Sequence, residues 1–200
     1  MSKRKKRVGK KSWIRQEYNL SWKFIQESKS FIWAAFIIFA LAMAFGFFFP
    51  IFYEQEILNF IKGLVSETDG LGVWQMIIYL FQNNLMSAFF GMIFGILFGF
   101  VPIMNAVING YLVGFVAQMS VDSVGIGVLW RLVPHGIFEL PALFLSLGLG
   151  LRLGFSLFSL KGRKKFFDYF SNALRVFIFI IFPLLLIAAI IEGSLIVLVG

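Results

Sequence analysis

The sequence predicts an all-α membrane protein with five transmembrane helices, its N-terminus cytoplasmic and its C-terminus outside. Three observations predict it. Of the 200 residues, 60% are hydrophobic and 14% charged, and the mean hydropathy is +0.88. A soluble fold of this size leaves too much surface in water to hide that apolar area, and disorder requires the opposite composition. From Gly70 to Val121, 52 residues pass without a charge. One helix of that length would extend roughly 78 Å, far beyond a hydrocarbon core of about 30 Å, so the run must fold back. The charge is also segregated. Residues 1–30 carry ten Lys or Arg against two Glu, a net +8, residues 160–175 carry +4, and residues 53–74 carry −3. Short segments rich in Lys and Arg stay cytoplasmic, which puts the first two on one side and the acidic segment on the other.

Residues 1–11 form a basic cytoplasmic tail whose charge suits anionic headgroups. Nucleic acid is the competing partner for Lys3–Lys11; next to a membrane span, topology and lipid contact account for the charge, and no nucleic-acid partner is expected. Residues 12–29 set Trp13, Tyr18, Trp22 and Phe24 among Lys and Glu, the composition of an interfacial amphipathic helix. Residues 30–200 form the five-span bundle, with spans at about 31–52, 75–100, 103–120, 136–159 and 175–198. The first is longer than a signal h-region and lacks a small-residue cleavage site after it. Pro102 is the expected turning point of the uncharged run, because proline breaks the helical ladder. Pro134 suits a first helical turn, whereas Pro141 falls inside the same helix and is expected to kink it.

Small and polar residues inside the spans are the next signal. Gly91, Gly95 and Gly99 share one helical face, as do Gly110 with Gly114 and Gly150 with Gly154. Such spacing lets backbones approach closely, within the chain or between two copies. Asn83 and Asn84 are placed near the outer start of the second span, and Asn105 and Asn109 lie four apart on the third. An amide in hydrocarbon must find a partner, so these are either interhelical hydrogen-bond glue, the favoured reading, or the lining of a polar cavity. Arg131, His135 and Glu139 complete the polar set. His135 and Glu139 are four apart beside Pro134 and Pro141, a pattern that fits an ion-paired lock on the helix entry or a proton-sensitive switch. Arg152 is expected to snorkel toward the headgroups, and Glu192 lies near the outer end of the fifth span.

The catalytic inventory is thin. One His excludes the two-His zinc protease helix. There is neither a nucleophile elbow nor a phosphate-binding G-x-x-x-x-G-K-[ST] loop. Cys is absent, and with it disulfides, thiol chemistry and cysteine-ligated metal. The expectation is a protein without enzymatic activity, cofactor or metal.

Asn83-Asn84 opening a glycine-rich span, Gly99-Phe-Val-Pro102, Asn109-Gly110 with Gly114, and above all Pro134-His-Gly-Ile-Phe-Glu-Leu-Pro-Ala142 resemble the stage II sporulation protein M (SpoIIM) family. Trp22-Lys-Phe-Ile-Gln-Glu-Ser28 is similar to it as well, and the resemblance spans roughly residues 20–198. It implies the same five-span plan. It also implies a membrane scaffold, since the family's namesake belongs to a peptidoglycan-degrading complex in which partner proteins carry the hydrolase chemistry. The expectation is therefore a multi-pass cell-membrane scaffold or complex subunit that contacts anionic lipid and self-associates through a glycine face. The alternative is a transporter or permease component with a polar site near Asn105, Asn109, His135 and Glu139.

Overall fold

The computed structural model describes residues 10–127, 129, 133–158 and 162–199, and every regular element among them is helical. In order, these are α1 (Lys10–Glu27), α2 (Lys29–Phe48), α3 (Glu54–Thr68), α4 (Val73–Ile93), α5 (Phe100–Val124), α6 (Val133–Ser156), α7 (Gly162–Val176) and α8 (Phe182–Val199). A 3₁₀ turn, Phe94–Ile96, extends α4, and a π-helical stretch, Phe177–Ile181, joins α7 to α8. Among the described residues, five helices are long and apolar enough to cross a membrane: Lys29–Phe48, Val73–Ile96, Phe100–Val124, Gly136–Ser156 and Phe166–Leu198. The five-span plan holds.

α6 is the axis of the bundle. It touches α2, α4, α5, α7 and α8, and 56% of its span is buried, against 17% of α2. Its glycines set that position. A Cβ on Gly150 would lie 2.6 Å from the Gly91 carbonyl oxygen, and one on Gly148 would lie 2.6 Å from the Ile32 backbone. Gly95 and Gly154 meet in the same seam, while Gly110 and Gly114 fit against the α2 backbone at Phe39 and Met43. Close approach of this kind replaces the hydrophobic force that lipid removes between helices. The glycine faces are thus filled within one chain.

The turning point of the uncharged run is Phe98–Gly99, not Pro102. Both residues have positive φ, 55° and 78°, a conformation that Gly99 adopts freely and Phe98 does not. Pro102 sits in the first turn of α5, where a missing N–H costs nothing, and it is buried beneath Gly150. Pro134 likewise lies in the first turn of α6, and Pro141 does not interrupt that helix. Two segments placed between spans are helices instead. The acidic stretch is α3, and the basic stretch is α7, whose Phe166, Phe170 and Ala173 form one apolar side that continues into Phe177.

Candidate functional site

Two polar groups inside the bundle are described in full. The first is built around Arg152, which sits one turn before the end of α6 with a buried side chain. A guanidinium away from water needs acceptors on its edge and π-faces on its plane. α1, the α1–α2 junction and α7 supply both. Nη1 donates to the Phe24 carbonyl at 3.3 Å and to Ser28 Oγ at 2.7 Å, and Nη2 reaches Glu27 Oε2 at 3.4 Å. Ser28 Oγ donates onward to the Phe24 carbonyl at 2.7 Å. The guanidinium carbon lies 4.3 Å from the Phe24 ring centroid and 4.2 Å from that of Tyr169, a cation–π sandwich. A second tie, Arg175 to Glu17 with Asn172 beside it, fastens α7 to α1. Arg152 therefore turns inward and clamps α1 and α7, in place of the expected snorkelling toward headgroups. Its signal in the sequence is the face made by Phe24 and Ser28 where α1 runs into α2, with Glu27 alongside. That face meets Arg152 only across some 125 residues of chain.

The second group joins α4 to α5. Asn109 Nδ2 donates to the Asn105 carbonyl at 2.9 Å and to Asn105 Oδ1 at 3.0 Å, and Asn105 Nδ2 reaches Ser87 Oγ at 3.4 Å. This is the interhelical ladder that amides in hydrocarbon form. Asn83 and Asn84 are not at an outer start. α4 begins at Val73, so they lie about 16 Å along the helix, one turn from Ser87. Asn84 is half-buried and Asn83 exposed, and neither side chain hydrogen-bonds among the described residues.

The remaining candidates are only partly visible. Arg131 and the side chain of His135 lie outside the described residues. Glu139 of α6 and Glu192 of α8 each bury a carboxylate oxygen within a span, and both are engaged in contacts. Among the described residues, no three His, Asp or Glu side chains converge as metal ligands would. Where α2 ends, a groove of about 890 Å³ runs between α2, α5 and α3, lined by apolar residues such as Leu41, Phe45, Phe60 and Ile108, with Glu56 at its edge.

A bundle of five spans, with the glycine-rich second span turning at Gly99 into the Asn-Gly helix and the Pro-His-Gly element opening the axial helix, is now in place. The sequence profile of stage II sporulation protein M matches residues 35–195. The chain belongs to the SpoIIM family. No curated protein and no solved structure matches it. The SpoIIM match begins inside α2 and ends inside α8. It therefore takes in the glycine seam, the amide ladder and Arg152, while α1, which supplies most of the Arg152 cradle, lies ahead of it.

Proposed function

We propose that this SpoIIM-family protein is a non-enzymatic scaffold or subunit of a complex in the cell membrane. The observation that carries this reading is the way the cytoplasmic helices are fixed. Amphipathic α1 and α7 are pinned to the axial helix by a buried guanidinium with three protein acceptors and two aromatic faces. A helix that only rests on lipid needs no such clamp. A rigid pair carrying the basic N-terminal segment is a platform, suited to anionic headgroups and to partner proteins. The seams behind it are backbone-tight at the glycines, and the Asn105–Asn109 ladder is bonded to the protein itself, the build of a supporting element.

The transporter reading has its own support in Glu139 and Glu192, since carboxylates within spans often line ion paths. One pair of measurements separates the two. Crosslinking in native membranes followed by native mass spectrometry in lipid is expected to give discrete complexes, and reconstituted vesicles are expected to show no solute or proton flux above empty controls. A lone monomer under all conditions, or flux abolished by Glu139→Gln, would overturn the scaffold reading.

A further inference from the structure

Most of the lipid-facing surface is what a bilayer demands. At mid-depth, α2 presents Ile37 and Leu41 and α8 presents Leu186, Ile187 and Ile190. α4 departs from this. Its inner side, Met76, Ile77, Ala88 and Met92, is buried, in a helix packed against α8 and α6. Its outer side carries an exposed stripe of Gln75, Ile78, Gln82, Met86 and Phe90, with Asn83 beside Gln82. These positions recur every three or four residues and share one face. Gln82 and Asn83 are the tenth and eleventh residues of the Val73–Ile96 span. They lie near the middle of that span, where a bilayer would offer an amide no water. Neither side chain makes a hydrogen bond among the described residues.

We propose that this face of α4 binds a second copy of the chain, with Gln82 and Asn83 of the two copies hydrogen-bonded across a two-fold axis. An amide carries both donors and an acceptor and is therefore its own complement. A two-fold axis places the same residues of two copies opposite one another. The glycine seams are already filled within the chain, and Met86 adds a pliable side chain for packing next to the amides. The proposal deepens the scaffold reading and rests on it only for the purpose of the dimer.

The absence of native cysteine makes the test direct. Single variants Ile78→Cys and Met86→Cys, oxidised in phosphatidylethanolamine–phosphatidylglycerol vesicles, are expected to give a disulfide-linked dimer. Leu41→Cys on α2 and Leu186→Cys on α8 are expected to crosslink about tenfold less. The double variant Gln82→Leu/Asn83→Leu is expected to raise the dissociation constant, read by single-molecule photobleaching, about tenfold, with thermal unfolding unchanged. Equal crosslinking from all four positions, or a dimer indifferent to the double variant, would overturn the proposal. If the double variant does not fold, the crosslinking pattern decides alone. A monomer in these vesicles overturns the dimer, and if native membranes still yield a complex with other proteins, the scaffold reading stands without it.

Discussion

At one end of the bundle, α1 and α7 lie against α6 and share a buried cation with it; at the other end, α3 buries no residue. Both ends contain amphipathic helices with charged faces. What separates them is whether the span beneath offers a partner. Arg152 rises from α6 among small neighbours, Gly148, Gly150 and Gly154, and α1 with its junction to α2 brings the Phe24 carbonyl, Ser28 and Glu27 to it. α3 meets α2 and α5 across an apolar groove and is held by its connection to α2 and by one exposed hydrogen bond, from the Tyr79 hydroxyl of α4 to Glu67 Oε2 at 2.9 Å. A clamped end and a loosely laid end follow from one buried cation and its acceptors.

The largest expected contrast comes from one residue type at both ends. Gly154 faces the backbone of Gly95 and Gly99, so Gly154→Leu should cost about 3 kcal/mol or more, or prevent folding. Gly63 in α3 has nothing within 4 Å of the place a Cβ would occupy, so Gly63→Ala should leave the bundle's thermal unfolding within about 0.5 kcal/mol of the parent. If both variants unfold alike, the tight end is not tight.

Next in size is the clamp. Arg152→Met should lose roughly 2–3 kcal/mol and expose the α1–α2 junction at Ser28 to protease. Glu27→Gln should lose about 0.5 kcal/mol or less, because the Glu27 side chain is 48% exposed and screened by solvent. Equal losses would mean that the ion pair, rather than the serine, carbonyl and aromatic contacts, holds α1. A smaller effect belongs to the amide ladder. Asn105→Leu breaks the links to Ser87 and Asn109 and should cost about 1 kcal/mol, read by unfolding in detergent micelles.

Hydropathy is a local property, so the five spans are legible from composition and charge. The amphipathic helices α3 and α7 are also encoded, in the spacing of Ile57, Ile61 and Leu64 and of Phe166, Phe170 and Ala173. Counting charge alone hides them. Pro102 reads as a breaker, yet the first turn of a helix tolerates proline, and the positive φ at Phe98 and Gly99 makes the turn. The depth of Arg152 allows snorkelling; its true surroundings depend on which helix packs there, and no local pattern states that. Gln82 gives no signal in the sequence because its meaning lies in exposure. An amide facing lipid differs from one facing a helix only once the helix has been oriented.

The smallest effect tests how the α3 end is held at all. The Tyr111 hydroxyl sits 3.1 Å from the Phe49 carbonyl and 2.9 Å from that of Phe52, and one proton serves the two oxygens. They bracket the turn that leads to Tyr53, which takes a left-handed conformation, φ 57°, before α3 begins. Tyr111→Phe removes that tie and leaves the ring contacts with Phe45 and Phe115 in place. Because the site is exposed, the loss should be about 0.5 kcal/mol and barely move global unfolding. Local opening should change more. A cysteine placed at Phe60, whose side chain lines the groove under α3, should react about twofold faster with a membrane-impermeant maleimide once the tie is gone. An unchanged rate would mean that α3 is held by something other than its connection to α2.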